Sequence, residues 1–224
     1  MLVTIKEVLN FEQLHIIRKL LKNADFVDGK LSVGREAKAV KNNQELAAEN
    51  PYMQQLNHLV MPTLLENAEF QTAALPQRVA TPFYARYTKG MQYGTHVDDP
   101  VMGPMGQNYR TDVSATVFLN EPSEYAGGEL VIQTEFGEQT VKMNAGDVVV
   151  YPSSSLHRVN EITDGTRLVA VVWAQSLVRD AQKRSVLREL SDVRDRLHTN
   201  PELKDDVRHL SNVYSNLMRQ WVEI

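Results

Sequence analysis

The chain has 224 residues, which suits one sizeable domain with a hydrophobic core of its own, and it contains no cysteine. The lack of cysteine excludes disulfides, thiolate-bound zinc, iron–sulfur clusters and a cysteine nucleophile, so any metal must be held by histidine and carboxylate. A net charge of −4 provides no broad attraction to phosphate backbones, and nucleic acid is therefore not an expected partner.

The first 21 residues carry five charged side chains among their apolar ones, which is not the pattern of a signal peptide. No uninterrupted apolar run in the chain approaches the length that spans a membrane. We therefore expect a cytoplasmic protein that does not associate with a membrane.

Two helices are predicted in the first third of the chain. Asn10 followed by Gln13 has the form of a capping box, and the apolar residues after it recur at helical spacing, which predicts a helix over Phe11–Lys22. A polar segment follows Asp28-Gly29, and Asn50-Pro51 then opens a second amphipathic helix that extends to about Leu65. We expect both helices to brace a sheet.

From Phe70 onward, short β-branched and aromatic runs alternate with Gly, Pro and Asp, which indicates many antiparallel strands. The predicted strands are Gln77–Tyr87, Asp112–Asn120, Glu129–Thr134, Glu138–Met143, Asp147–Tyr151, Leu156–Ile162 and Arg167–Trp173. Strands of this number and spacing favour a sandwich or jelly roll over a parallel sheet.

Helical spacing returns after Ser176. One apolar stripe begins at Ala181, and Asn200-Pro201 has the form of a cap that opens a second helix ending near Trp221. The stripe either packs on the domain's own sheet, which we favour, or forms an interface between copies of the chain. The predicted organisation is a domain over 1–176 and a C-terminal helical extension over 177–224.

His96, Asp98 and His157 form the candidate metal site. Residues i and i+2 of an extended strand project from one face, so His96 and Asp98 can bind one metal ion together. His157 would supply the third ligand from another strand. Two imidazoles and one carboxylate are sufficient to hold a non-haem Fe(II) with positions left open for substrate and oxygen. An isolated His-x-Asp is common by chance, so the assignment needs support from further along the chain.

Arg167 supplies that support if it faces the metal. We expect His157 and Arg167 to lie on adjacent antiparallel strands joined at a turn. A two-residue loop would pair His157 with Val172 and turn Arg167 away, whereas a three-residue loop with Gly165 in the left-handed conformation pairs His157 with Val171 and turns Arg167 inward. We predict the second arrangement.

Arg167, Val169, Val171 and Trp173 would then line one interior. A guanidinium in such an interior demands a carboxylate, because burying it unpaired is costly. The partner is either an Asp or Glu of the chain or, as we favour, a dicarboxylate co-substrate that also chelates the metal.

Ordered motifs over about residues 75 to 180 carry a resemblance to a known family. They are Arg86-Tyr87 with Gly90, Tyr93, His96 and Asp98; Arg110-Thr111-Asp112 with Phe118-Leu119; Gly127-Gly128-Glu129-Leu130; Gly146-Asp147; Leu156-His157; Gly165 and Arg167; and Trp173 with Gln175 to Asp180. The chain resembles the prolyl 4-hydroxylase-like branch of the Fe(II)- and 2-oxoglutarate-dependent dioxygenases, and most closely the bacterial PKHD-type hydroxylases.

The resemblance implies an α+β fold with a double-stranded β-helix (jelly-roll) core. It implies that His96, Asp98 and His157 bind iron and that Arg167 holds the distal carboxylate of 2-oxoglutarate. Tyr87 matches a tyrosine that hydrogen-bonds the co-substrate in related enzymes, although a packed core tyrosine is an alternative. O2 is the oxidant, and the family is associated with L-ascorbate as a reductant.

The implied function is hydroxylation coupled to decarboxylation of 2-oxoglutarate to succinate. Related halogenases leave the carboxylate position vacant for halide, whereas Asp98 fills it here. Two alternatives remain: a non-catalytic cupin-like metal-binding or iron/2-oxoglutarate-sensing module, and a scaffold built around the helical tail. Arg167 distinguishes an enzyme from the metal-binding module, because a protein that only senses metal does not need a residue that binds a co-substrate.

The substrate is not encoded in any motif. The resemblance leaves peptidyl proline or lysine and small molecules such as siderophores open, with a homo-oligomer through the C-terminal helices as a further expectation. The Gly- and Pro-containing segment Asp99–Tyr109 is either a lid over the site or an ordinary connector. Arg110 is expected in a surface or structural pairing, with an anionic substrate as the alternative.

Overall fold

The computed structural model describes all 224 residues and combines six α-helices with sixteen β-strands. The helices are α1 (Phe11–Lys22), α2 (Arg35–Val40), α3 (Met53–Glu66), α4 (Ala68–Ala74), α5 (Ala181–Leu197) and α6 (Lys204–Trp221). The strands are β1 (Val3–Ile5), β2 (Phe26–Asp28), β3 (Lys41–Asn42), β4 (Gln44–Leu46), β5 (Pro76–Val79), β6 (Phe83–Thr88), β7 (Gln92–His96), β8 (Val101–Met102), β9 (Tyr109–Arg110), β10 (Val113–Phe118), β11 (Tyr125–Gly127), β12 (Leu130–Thr134), β13 (Gly137–Val141), β14 (Val148–Pro152), β15 (His157–Val159) and β16 (Ile162–Ser176).

Most strands belong to two antiparallel sheets. The larger sheet has the order β1-β14-β10-β16-β6-β4-β2, with β5 and β11 also paired to β16. The smaller sheet has the order β13-β12-β15-β7-β3, and β8 and β9 form a separate hairpin. Two facing sheets with non-sequential strand order form a jelly roll, so the predicted α+β double-stranded β-helix is confirmed.

Strand β10 shows how the layers are built. All six of its residues are buried. Val113, Ala115 and Val117 pack into the core shared with the N-terminal helices, whereas Phe118 packs into the core between the two sheets. Because side chains alternate along a strand, Ser114 also faces the smaller sheet. The larger sheet is therefore covered on both faces, by helices outside and by the smaller sheet inside.

The first predicted helix is confirmed with its predicted bounds. Asn10 Oδ1 accepts from the Gln13 backbone N–H, and Gln13 Oε1 accepts from the Asn10 N–H, both at 2.9 Å. The second helix begins at Met53 instead of directly after Pro51. None of the helices combines the length and the apolar character needed to cross a bilayer.

The strand prediction was wrong in three places. Residues 68–74 form α4, because Asn67 caps the Phe70 N–H and three residues of this helix are buried. The single predicted strand Gln77–Tyr87 is two strands, β5 and β6, separated at Pro82, which has no N–H to donate. Strands β1 to β4, β7 to β9 and β11 were not predicted; apart from β7 they have only two or three residues, which is too short to show alternation.

The predicted pairing of His157 with Val171 was also wrong. β15 and β16 do not form a hairpin, because β16 already begins at Ile162 and pairs with β11, β10, β6 and β5. Gly165 does have a positive φ, of 75°, but for a different reason. A Cβ there would lie 2.2 Å from the Glu124 carbonyl oxygen, because the chain entering β11 passes directly over it.

The two C-terminal helices form as predicted, and Asn200 caps the turn before α6 by accepting from the Glu202 N–H. Their apolar stripe does not pack on the sheet as we favoured. Leu187 of α5 packs with Leu75, at the end of α4, and with Val178, and residues from α6 cover this cluster. Helices α5 and α6 pack mainly on each other, and α5 also packs on α4.

Candidate metal centre

His96 and His157 lie directly opposite each other in the smaller sheet. His96 ends β7 and His157 begins β15, and the two residues are antiparallel partners. Their ring centroids are 4.2 Å apart. Asp98 lies two residues beyond His96, and the ligand atoms of all three side chains lie within 4.8 Å of one another. The pairing of the two strands thus brings together the three side chains that the sequence predicted.

The backbone orients both imidazoles. Nδ1 of His96 is 2.8 Å from the Gly94 carbonyl oxygen, and Nδ1 of His157 is 3.0 Å from that of Ser155. A ring nitrogen that faces a carbonyl carries the proton, which leaves Nε2 as the free acceptor that a metal requires. Burial lowers the pKa of His96 to about 4, so this ring is neutral at neutral pH.

Asp98 is held by a hydroxyl from the opposite sheet. Ser114 Oγ donates to Asp98 Oδ2 at 2.6 Å, and Ser114 in turn hydrogen-bonds Ser153 Oγ at 2.7 Å. Both serines are buried. The other carboxylate oxygen, Oδ1, lies 3.8 Å from His157 Nε2. These serines were not predicted from the sequence; the one available signal was Ser114 at an inward position between Val113 and Ala115.

Arg167 is buried without a charge partner. It lies on β16 opposite Tyr87 of β6, and it is 1% exposed. Its Nε and Nη1 atoms have no hydrogen-bond partner, and its guanidinium carbon lies 5.2 Å from the centroid of the Tyr87 ring and 5.7 Å from that of Phe118. The alternative of an internal salt bridge is therefore not realised. A buried, unpartnered guanidinium fits a carboxylate ligand.

One cavity between the two sheets connects these groups. Its wall includes the three candidate ligands together with Arg167 and Tyr87, and also Val171 and Trp173. Val169, on the same side of β16, packs into the core beneath. The predicted inward face of β16 is therefore confirmed, although through a different strand pairing. Burial raises the pKa of Tyr87 to about 12, so its hydroxyl stays protonated.

A second polar wall of the cavity was not predicted from the sequence. Lys41, Asn43 and Glu45 alternate along the segment that crosses from β3 to β4, and all three are buried and line the cavity. Lys41 Nζ donates to Glu45 Oε1 at 2.5 Å and lies 5.1 Å from the centroid of the Tyr93 ring. Tyr93 in turn stacks on His96 with centroids 3.6 Å apart. The polar segment after Gly29 thus reaches the metal centre.

The segment that follows Asp98 is folded back as a hairpin. β8 pairs with β9, and the Thr111 N–H donates to the Pro100 carbonyl. Val97, Asp99 and Met102 line the cavity near its rim. Arg110 forms an ion pair with Asp112 at 3.1 Å, which confirms the structural pairing. A lid function for Asp99–Tyr109 stays a prediction.

Comparison with known sequences identifies the family. Residues 82–175 match the family model described as the 2OG-Fe(II) oxygenase superfamily. A PKHD-type hydroxylase of Thioalkalivibrio sulfidiphilus is 51% identical over 224 residues, which covers 100% of both chains. A PKHD-type hydroxylase of Acinetobacter baumannii is 42% identical over 223 residues and covers 98% of both.

Solved structures share the fold at low sequence identity. A prolyl-4-hydroxylase of Pseudomonas putida superposes with a TM-score of 0.54 at 19% identity, over 78% of this chain and 92% of that one. HygX of Streptomyces hygroscopicus, with nickel, 2-oxoglutarate and hygromycin B bound, superposes with a TM-score of 0.53 at 14% identity, over 79% of this chain and 84% of that one. By fold and by full-length identity, the chain belongs to the PKHD-type hydroxylases, enzymes of the 2OG-Fe(II) oxygenase superfamily.

Proposed function

We propose that His96, Asp98 and His157 hold Fe(II) and that the chain hydroxylates its substrate with O2 and 2-oxoglutarate. Two imidazoles with Nε2 free and a carboxylate with one oxygen free converge within 4.8 Å, which supports this assignment. Two histidines and one carboxylate leave coordination positions open on Fe(II) for other ligands.

The observation that carries the proposal is the buried, unpartnered guanidinium of Arg167. We propose that it binds the distal carboxylate of 2-oxoglutarate, with Tyr87 beside it in the cavity wall. A module that only binds metal has no use for such a group. The unpartnered guanidinium therefore counts against a non-catalytic cupin-like or sensing role.

When bound, Fe(II) and 2-oxoglutarate supply the oxidation, in which O2 is consumed, 2-oxoglutarate yields succinate and CO2, and one oxygen atom enters a substrate C–H bond. The protein's own residues position these components and exclude water. Ser114 holds Asp98 in place, and the two backbone carbonyls hold the imidazole tautomers. Asp98 occupies the carboxylate position, so hydroxylation and not halogenation is the proposed outcome, with L-ascorbate as the proposed reductant.

Two substrate classes are proposed: peptidyl proline or lysine, and small molecules. A prolyl hydroxylase of Trichoplax adhaerens, solved in complex with a hypoxia inducible factor peptide, shares the fold with a TM-score of 0.55 over 83% of this chain and 86% of that one, at 15% identity. HygX, in contrast, was solved with hygromycin B bound, which is a small molecule. The same fold therefore accommodates both classes, and a substrate screen must contain both.

The test is substrate-stimulated formation of succinate from 2-oxoglutarate under O2, with Fe(II) and ascorbate, across peptides and small metabolites. We expect Arg167→Ala to abolish both 2-oxoglutarate binding and succinate formation, because it removes the charged donor that would hold the distal carboxylate. Arg219→Ala, on the surface of α6, is the matched control and keeps both. Undiminished 2-oxoglutarate binding by Arg167→Ala would contradict the proposal that Arg167 binds the distal carboxylate.

We also propose that residues 1–176 form the oxygenase domain and 177–224 a helical extension. Assembly of copies through α5 and α6 stays a prediction; Val186, Val193 and Val213 on these helices are exposed. Sedimentation of the full chain measures it, and a monomer at every concentration would rule it out. The cytoplasmic location likewise stays a prediction.

A further inference from the structure

Strand β7 contains a bulge that turns Tyr93 toward the metal centre. His96 of this strand is paired with His157, and Tyr93 is paired with Val159. Three steps along β7 therefore match two steps along β15, so β7 carries one extra residue. In a regular strand, residues i and i+3 project to opposite faces because side chains alternate. The bulge brings Tyr93 and His96 to the same face.

The result is that Tyr93 stacks on a candidate metal ligand. The ring centroids of Tyr93 and His96 are 3.6 Å apart, and the ring planes differ by 13°. The hydrogen bond between His96 Nδ1 and the Gly94 carbonyl, at 2.8 Å, fixes only one point on the edge of the imidazole. Contact across the face of the ring fixes its plane as well. Tyr93 therefore restricts the tilt of the ring that presents Nε2 to a metal.

Gly94, one of the two residues within the bulge, lies against helix α2. A Cβ on Gly94 would lie 2.8 Å from the Cβ of Val40, the last residue of α2. Glycine inside a strand often marks a bulge or a close approach of another segment, and Gly94 shows both. The local sequence is therefore suited to the bulge that brings Tyr93 onto His96.

A buried charge pair holds Tyr93 from the neighbouring strand. Lys41 of β3 is the antiparallel partner of Tyr93, and its Nζ lies 5.1 Å from the centroid of the Tyr93 ring. A cation at this distance is attracted to an aromatic ring. Lys41 Nζ itself donates to Glu45 Oε1 at 2.5 Å and to Ser32 Oγ at 3.1 Å. The ring of Tyr93 is therefore contacted by a cation that two other groups hold in place.

We propose that Tyr93 is a positioning residue of the metal centre, which holds the imidazole of His96 in the orientation that binds the metal. The stacked ring performs this function, and the phenol hydroxyl is not needed for it. The inference rests on the proposed function, in which His96 binds the metal, and it adds a residue that does not itself bind metal or co-substrate.

The test uses Co(II) alone with the full chain, so that neither a co-substrate nor turnover is involved. Groups that orient metal ligands typically change metal affinity by about 10–100-fold when they are removed, and we expect Tyr93→Leu to weaken Co(II) binding about ten-fold. The visible absorption of bound Co(II) depends on its ligands, so it shifts toward that of His96→Ala, in which this ligand is missing. Tyr93→Phe keeps the ring and therefore keeps both the affinity and the spectrum.

Tyr52→Leu is the matched control. Tyr52 is half-buried like Tyr93, but it packs against the core shared with the N-terminal helices, so both the Co(II) affinity and the spectrum stay unchanged. Tyr93→Met is a second variant without the ring, in case Tyr93→Leu does not fold, and the same result is expected of it.

Two results would overturn the inference: unchanged Co(II) affinity and spectrum in the variants that lack the ring, or equal losses in Tyr93→Phe and Tyr93→Leu. In both cases the proposed metal site survives if His96→Ala still weakens Co(II) binding. Undiminished Co(II) binding by His96→Ala would overturn the proposed metal site and this inference together.

Discussion

At the scale of single residues, the orientation of Asp98 depends on one hydroxyl. Ser114 is buried, and its hydroxyl makes the only hydrogen bond that a side chain donates to the Asp98 carboxylate. Partners that orient metal-binding side chains typically change metal affinity by about 10–100-fold when removed. We expect Ser114→Ala to weaken Mn(II) or Fe(II) binding by about this factor, as measured by competition titration.

Ser211→Ala is the control, because the Ser211 hydroxyl donates only to the Val207 carbonyl within α6. It keeps the metal affinity of the unsubstituted chain. Equal affinities for Ser114→Ala and the unsubstituted chain would show that Asp98 needs no fixed hydroxyl.

At the scale of elements, the turn between β11 and β12 packs against Arg167, which lines the cavity. Gly127 and Gly128 both have positive φ, and Gly128 lies against both the Arg167 and the Tyr125 side chains. Gly128→Ala forces a methyl group against Ile162 and Arg167, and overpacking of this kind costs about 1–3 kcal/mol. We expect a lower free energy of unfolding in urea and weaker 2-oxoglutarate binding.

Gly137→Ala is the matched control. Gly137 also has a positive φ, of 105°, but no atom lies within 4 Å of the added Cβ. Both variants carry the strain of the left-handed region, and only Gly128→Ala adds the clash. Equal loss of stability in the two variants, with 2-oxoglutarate affinity kept in both, would show that the glycine at position 128 is not needed to position Arg167.

At the scale of the whole molecule, Arg184 ties the C-terminal helices to the jelly roll. It is buried in α5, where its Nη1 donates to the carbonyls of Val178 at 2.8 Å and Arg179 at 2.7 Å, and its Nη2 to that of Asp112 at 3.1 Å. Asp112 directly precedes β10, the strand that carries Ser114. The backbone at Asp112 is therefore bound to helix α5 and continues directly into the strand whose Ser114 holds Asp98.

We expect Arg184→Met to lower the free energy of unfolding by about 2–4 kcal/mol, because three backbone carbonyls lose a hydrogen bond from a charged donor, and the bond to Val178 is buried. Urea denaturation of the full chain measures this change. The exposed Arg219→Met is the control, within about 0.5 kcal/mol of the unsubstituted chain. A single transition for jelly roll and helices together is expected, and two separate transitions would show that the extension folds independently.

Local patterns in the sequence predicted much of this protein. The capping box at Asn10 and Gln13 determined where α1 begins, because a helix start depends on residues within one turn, and the helical spacing of the apolar residues that follow indicated its length. The spacing of His96 and Asp98 and the alternation from Arg167 to Trp173 determined which side chains face the cavity, because a strand repeats every two residues. Strand number and spacing favoured a sandwich or jelly roll over a parallel sheet, and the family resemblance implied the jelly roll.

Only the tertiary structure decided which strands are neighbours. Alternation specifies the face of a residue and not the partner of its strand, which is why β15 was paired with β16 instead of with β7 and β12. For the same reason Ser114 and the wall from Lys41 to Glu45 could not be assigned beforehand, since their partners are brought to them by packing between segments distant in sequence. The spacing of His96 and Asp98 could be read from the sequence because it is short-range, whereas His157 and the groups that orient and enclose the site are brought to it only by the pairing of strands and the meeting of the two sheets.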